Sequence, residues 1–362
     1  MVNPSNNNTL KIQEYNEQKE LPGLRPRSKN ILEVGGKPNF SYLTELAGMS
    51  VLSARQFNLE MVLEICKLAA FLESQEIASY HPLDGKIAIT AFFEASTRTR
   101  LSFESSMLRL DGKILSVPDG KFTGIVKGES LLDIGEMFNS YGDLVIMRHT
   151  ETDSIFELSK YLRVPLINAG NGSGEHPTQA LADWYALLKW RPEIGFSELP
   201  KNSKIRLGIL GTPGNMRAVK SFLLLALNFK KNIQSITVVS EMADPLGPDL
   251  AKEIEDVPFQ FSITNDVNEV IENLDVIYMN SIAFLGDDYK LLNKNFKLKS
   301  KKSLKENAVV MHPLARRDEL STALDHTDHN LYFTQAAGAV FVRQALLVSI
   351  LNRLALLPQQ MN

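Results

Sequence analysis

Ser96, Thr97, Arg98 and Thr99 stand together in the run Phe93-Glu94-Ala95-Ser96-Thr97-Arg98-Thr99-Arg100, between an apolar stretch and an amphipathic one. The apolar stretch, Lys86–Phe93, reads as a buried strand, and Leu101–Leu110 has the spacing of a helix entered through Ser and Thr cap chemistry. A helix N-terminus offers unpaired N–H groups and the positive end of its dipole. Adding hydroxyls and a guanidinium at that point builds a phosphate cup. A plain N-cap with surface arginines fits the same spacing, so spacing alone leaves both readings open.

Three further segments fall at the carboxyl ends of predicted strands, where open α/β sheets hold ligands. The strand Leu144–Met147 delivers Arg148, and the loop Ala169-Gly170-Asn171-Gly172-Ser173-Gly174 delivers Glu175-His176-Pro177-Thr178-Gln179 at a helix start. The strand Ala308–Met311 delivers His312-Pro313-Leu314-Ala315-Arg316. A lone histidine at a helix start is usually structural. Four polar segments at equivalent topological positions point instead to one shared site.

The elements that position these groups alternate regularly. In the first half they are a helix over Phe57–Ser74, strands at Lys86–Phe93, Lys113–Val117, Leu144–Met147 and Pro165–Asn168, and helices at Leu101–Leu110, Ser130–Tyr141 and Pro177–Trp190. After Trp190 the rhythm restarts, with strands at Lys204–Leu210, Ser235–Val239, Phe259–Ile263, Val276–Met279 and Ala308–Met311 and a helix at Met216–Phe229. The fold class is α/β, as two parallel-sheet α/β domains. A final helix over Val340–Leu356 can pack on either half.

Composition narrows the function. The chain is 44% hydrophobic and 22% charged, with 39 Lys and Arg against 42 Asp and Glu, a net charge of -3. That balance offers no basic surface for nucleic acid, so an anion site must be built locally. Cys66 is the sole cysteine and sits in an apolar helical pattern, which excludes an internal disulfide, a cysteine-rich zinc site and an iron–sulfur cluster. No run of about 18 apolar residues predicts a membrane span, and no apolar signal core opens the chain, so a cytoplasmic location is expected. The first ~35 residues, rich in Asn, Lys, Glu and Pro, read as a mobile extension or a surface wrap. The turn Gly211-Thr212-Pro213-Gly214 lacks the third glycine of a dinucleotide fingerprint, so no nucleotide cofactor is expected.

Together, the Ser-Thr-Arg-Thr-Arg and His-Pro-Thr-Gln segments resemble the aspartate/ornithine transcarbamylase family, on its aspartate carbamoyltransferase side. The resemblance runs from Ser53 to Leu356 and is closest at Phe92–Arg109, Gly142–His149, Asn168–Asp183 and Tyr332–Arg353. It implies the transcarbamylase fold, with the C-terminal helix packing back on the first domain. It also implies a carbamoyl-phosphate domain of residues 41–190 plus 333–362, an amino-acid domain of residues 191–332, and an N-terminal extension, residues 1–40. In the family pattern Ser96, Thr97, Arg98 and Thr99 hold the phosphate, while Thr99, Arg148 and His176 face the carbamoyl oxygen. Gln179, with main-chain carbonyls near Pro313 and Leu314, orients the carbamoyl NH2. Glu94 matches the structural partner of Arg148, and Arg217 the arginine that grips the amino acid's carboxylate. Thr123 and Lys127 match a loop that enters the neighbouring subunit's site, which implies a homotrimer; a regulatory chain or another pathway enzyme as partner stays open. No metal, cofactor or covalent enzyme intermediate is implied.

Two positions depart from the family. After the strand Val276–Met279, where aspartate carbamoyltransferases have Thr-Arg-x-Gln, this chain has Asn280-Ser281-Ile282-Ala283, so both ligands of the second carboxylate are replaced. Ornithine carbamoyltransferases fit no better, since their Ser-Met-Gly and His-Cys-Leu-Pro segments are both missing. Ala315 replaces the proline of His-Pro-Leu-Pro, which follows a cis peptide in the family; a non-proline cis bond costs about 2.5–4 kcal/mol. Arg316 keeps its position, and Arg317 adds a cation that could take over part of the lost grip. The expected reaction is carbamoyl transfer to L-aspartate. The alternatives are transfer to an amine lacking the β-carboxylate, or a weakly active paralogue serving assembly or regulation.

Overall fold

A computed structural model describes residues 23–75, 80–119, 128–280, 297–298, 303–317 and 319–358. After helices α1 (Lys29–Gly35), α2 (Phe40–Thr44) and α3 (Leu59–Ser74), the chain runs β1 (Ile87–Phe92), α4 (Thr97–Arg109), β2 (Lys113–Val117), α5 (Leu131–Tyr141), β3 (Leu144–His149), α6 (Ser154–Ser159), β4 (Leu166–Asn171) and α7 (Pro177–Trp190). A second series follows: β5 (Ile205–Leu210), α8 (Arg217–Ala226), β6 (Ile233–Val239), α9 (Gly247–Ile254), β7 (Gln260–Thr264), β8 (Val276–Met279), β9 (Val309–Met311) and α10 (Tyr332–Ile350).

Both sheets are parallel throughout their paired strands. The first has the order β2-β1-β3-β4 and the second β7-β6-β5-β8-β9. Parallel strands covered on both faces need near-continuous apolar runs, which is why Ala88–Phe92 and Leu207–Leu210 are buried without alternation. In the first sheet the connections leave β1 in opposite directions, to β2 and to β3, so the carboxyl ends of β1 and β3 flank a crevice. In the second sheet β5 and β8 do the same. These are the switch points where α/β sheets bind ligands.

One apolar core runs through both sheets. Trp184 of α7 stacks on Phe222 at 5.3 Å and Phe229 at 4.0 Å between ring centroids, and Phe222 meets Tyr278 of β8 at 4.6 Å. Trp184 Nε1 also donates to the Phe222 carbonyl at 3.2 Å. Thus α7, which carries His176 and Gln179 at its start, is packed against both series of elements. Cys66 lies fully buried in α3, and burial pushes its thiol well above the ordinary range.

Two expectations change. Helix α10 begins at Tyr332, eight residues before the predicted start at Val340, and packs on α3, α4 and α7 of the first series. By length and hydropathy it could cross a membrane, yet most of it is buried inside the fold. The N-terminal segment is a wrap over residues 23–40. Leu24 N–H donates to Asn330 O at 2.9 Å, Thr334 Oγ1 donates back to Leu24 O at 2.7 Å, and Ile31 of α1 is buried. Residues 1–22 lie outside the described residues.

Candidate active site

The loops at both switch points open into one cavity of ≈ 910 Å³. Ser96, Thr97, Arg98, Thr99, Arg148, His176, Gln179, Arg217 and Leu314, each anticipated in the sequence, all line it. Thr123, Lys127, Ser281 and Ala283 lie outside the described residues.

Ser96 is the N-cap of α4, but its side chain makes no capping bond. The expected cap chemistry is therefore absent, and the hydroxyl is left to the cavity. The first N–H groups of α4 have no intrahelical partners by geometry. Arg98 has no hydrogen bond or ion pair among the described residues, and burial lowers its pKa from an ordinary guanidinium value. The result is a strongly electropositive cup whose donors are uncommitted.

Arg148, delivered by the end of β3, is largely buried; burial first, and then the nearby Arg217, pull it down to about 10, so it stays charged at neutral pH. Its Nη2 donates to Glu94 Oε1 at 2.6 Å, while its buried Nε has no partner among the described residues. Glu94 does more than the sequence suggested, because it also binds Arg217 across the crevice. Arg217 Nη1 meets Glu94 Oε2 at 2.8 Å and Nη2 meets Oε1 at 2.6 Å. Burial alone would raise the Glu94 carboxyl, but the two guanidinium partners hold it below the ordinary carboxylate range. Arg217 Nη1 further reaches Gly172 O at 2.9 Å. Gly172 has φ +48°, and a Cβ there would lie 2.6 Å from Thr150 O, so the loop before His176 needs glycine at that point.

His176 is the N-cap of α7 with Pro177 in the first turn, and its imidazole makes no capping bond. Its Nε2 lies 3.5 Å from Thr99 Oγ1 and its Nδ1 3.4 Å from Thr178 Oγ1. Burial first, then Arg148, Arg343 and Arg217, lower its pKa well below the ordinary histidine value. The ring is neutral, a hydrogen-bond donor poised beside cations.

The His312–Arg316 loop is held by its own histidine. His312 Nδ1 accepts from Leu314 N–H at 2.8 Å and Nε2 sits 2.9 Å from Glu319 Oε1, so the imidazole shapes the loop. The Leu314–Ala315 peptide is cis. Arg316 is bound by Asp325, with Nη2 at 2.7 Å from Oδ2, and lies over the rings of Tyr332 and Phe333. Glu175 belongs to a strap, accepting from Ala54 N–H at 2.7 Å and from Ser53.

Sequence reasoning missed Gln335 and Arg343 of α10, which also line the cavity. For Arg343 a signal was available, a cation within the apolar helix predicted from Val340; Gln335 lay before that helix and gave none. Arg343 donates to Ser102 Oγ and lies 4.7 Å from the Phe103 ring centroid.

Two family models match the chain. The aspartate/ornithine carbamoyltransferase carbamoyl-P binding domain covers residues 49–189, and the Asp/Orn binding domain covers residues 203–350. This chain belongs to the aspartate/ornithine carbamoyltransferase family. Among its relatives, the aspartate carbamoyltransferase catalytic subunit of Picrophilus torridus is 39% identical over 75% of this chain and 86% of the relative. That of Pyrobaculum islandicum is 35% identical over 84% of this chain and 99% of the relative. The crystal structure of aspartate transcarbamoylase from Trypanosoma cruzi in complex with carbamoyl phosphate and aspartate superposes with a TM-score of 0.74. It is 32% identical and covers 85% of this chain and 98% of that one.

Proposed function

We propose that this chain transfers the carbamoyl group of carbamoyl phosphate to the amine of L-aspartate, giving N-carbamoyl-L-aspartate and phosphate. The observation that carries this reading is the single cavity in which an uncommitted helix N-terminus with Arg98 meets Arg148, neutral His176 and Gln179. The names of the relatives support the same donor and acceptor.

In this reading Ser96, Thr97, Arg98 and Thr99 grip the phosphate. As the amine attacks the carbonyl carbon, the C=O electrons move onto oxygen, and Thr99, Arg148 and the His176 N–H stabilise that charge. Gln179 and the Leu314 carbonyl hold the NH2. The C–O bond to phosphate then breaks, and the departing phosphate takes the amine's proton. Catalysis is positioning plus electrostatics. The carbamoyl-phosphate unit comprises residues 41–190 plus 333–362 and the amino-acid unit residues 191–332. Arg217 takes one carboxylate of the amino acid. Thr123 and Lys127 complete a neighbour's site in a cytoplasmic homotrimer.

Ser281 and Ala283 favour a second reading, in which the acceptor lacks aspartate's β-carboxylate. A panel of amines assayed with labelled carbamoyl phosphate separates the two. Product from aspartate alone supports the first reading, product from another amine the second, and no product from any amine overturns both. The shared site is tested by mixing inactive Lys127→Ala chains with inactive Arg98→Ala chains. Partial activity is expected after subunit exchange, and none would remove the claim.

A further inference from the structure

Behind the cavity wall, two glutamines converge on one carboxylate. Asp183, one helical turn after Gln179 on α7, is fully buried. Its Oδ1 accepts from Gln179 Nε2 at 2.7 Å and from Gln335 Nε2 at 2.6 Å, and its Oδ2 accepts from the Tyr278 hydroxyl at 2.7 Å. Burial raises its carboxyl to about 7, against the pull of the Tyr278, Gln179 and Gln335 hydrogen bonds and of Arg343, so the group is ionised above that pH.

The two ends of an amide have nearly the same shape, so its orientation is decided by what its partners can do. An ionised carboxylate only accepts. Both glutamines must therefore turn NH2 toward Asp183 and their carbonyl oxygens away. For Gln335 a second group agrees independently: its Oε1 meets the His312 backbone N–H, which can only donate, at 2.9 Å. Gln179 lines the cavity, and among the described residues nothing donates to its Oε1. That oxygen is presented to a ligand as an acceptor.

We infer that Asp183 is a positioning residue that fixes Gln179 as an acceptor, and so makes the cavity select an acyl phosphate whose carbonyl carbon bears an NH2 over one bearing a methyl group. This rests on the carbamoyl-phosphate reading of the cavity. An NH2 supplies the donor that Gln179 Oε1 requires, whereas a methyl leaves that oxygen unpaired in a closed site. With Gln179 reversed, two NH2 groups would face each other.

The test uses the full chain and three ligands that do not decompose: phosphonoacetamide, its methyl-ketone counterpart 2-oxopropylphosphonate, and inorganic phosphate. Binding is measured at about pH 8.5, above the value of about 7 to which burial pushes the Asp183 carboxyl. The unaltered chain is expected to prefer the amide to the ketone about tenfold. Asp183→Ala removes the acceptor that holds the Gln179 NH2 and is expected to reduce that preference to about threefold or less, with phosphate affinity changed less than about twofold. In a Gln179→Ala background, Asp183→Ala should leave the ratio where it is.

A preference retained in Asp183→Ala overturns the inference. So does an equal loss for all three ligands, or a further fall of the ratio on top of Gln179→Ala, since each would mean general distortion. Should Asp183→Ala fail to fold, Asp183→Leu takes its place with the same expectations, because it fills the space of the carboxylate without offering an acceptor. If the unaltered chain binds phosphate but shows no preference for the amide, the carbamoyl-phosphate reading fails first, a result distinct from any seen in the variants.

Discussion

At the start of α4 polar groups are left without protein partners, whereas across the crevice Arg217 is already held by a carboxylate. Ser96 makes no capping bond, and Arg98 has no ion pair among the described residues. Glu94, by contrast, occupies both terminal nitrogens of Arg217 and one of Arg148. The first wall is preorganised: an arriving phosphate adds bonds without displacing any. The second is preoccupied: an amino-acid carboxylate must share Arg217 with Glu94 or exchange with it. On the proposed reading, the donor site is formed before the acceptor arrives, and acceptor binding carries the cost of rearrangement.

Removing the uncommitted guanidinium is the most damaging way to test the first wall. On the proposed reading Arg98→Ala deletes the guanidinium that grips the phosphate and should weaken carbamoyl-phosphate binding by roughly 10³-fold. An unchanged apparent affinity in equilibrium binding would contradict the assignment. His176→Ala should lower kcat by about 10²-fold with a modest change in KM, because its contact strengthens only as charge develops on oxygen. A large rise in KM at constant kcat would oppose that role. Since the imidazole stays neutral, its ring nitrogen resonances should not move as pH falls through about 6.5.

The second wall is sharpened by restoring what the sequence replaced. Ser281→Arg with Ala283→Gln should improve aspartate use by about 10-fold or more if aspartate is the acceptor, since a charge-assisted pair contributes roughly 1.5–3 kcal/mol. If the acceptor lacks the β-carboxylate, the same change should damage activity with the natural amine and create activity with aspartate. Glu94→Gln leaves Arg148 and Arg217 facing each other without their shared anion, and a fall in kcat/KM of about tenfold is expected. A smaller effect is read in stability. The folded chain binds the Asp183 proton more readily than the unfolded chain, so this group's contribution is lost as pH rises from about 4 to about 7. The Tm of the unaltered chain should fall by a few degrees over that window relative to Asp183→Asn; parallel curves would contradict it.

The strands were legible to within three residues; the central ones, such as β1, β5 and β8, are buried on both faces and must be apolar along their length, whereas the edge strands β2 and β7 are partly exposed. The helix start at Pro177 was legible from the preceding glycine-rich loop and from the proline itself. The start of α10 was not. Tyr332 to Ala339 contains Thr334, Gln335 and Gly338, which look like loop chemistry until Asp183 and Leu24 appear as their partners. Residues 23–40 were misleading for a related reason: their polar composition hides Leu24 and Ile31, which anchor the wrap.

By itself the sequence determined the two parallel sheets, the helix N-terminus at Ser96–Thr99 and the cluster of groups at strand ends, because each is a local pattern contained within one short run. Only the tertiary structure decided that Glu94 joins Arg148 to Arg217, that the His176 imidazole is neutral, and that Gln179 presents its oxygen. Arg217 lies 123 residues from Glu94, and although Asp183 lies only one helical turn from Gln179, its burial and its ties to Gln335, 152 residues on, and to Tyr278 come from the fold. A side chain's charge state and the direction of an amide are set by what folding brings next to it, and no spacing within a single run contains that information.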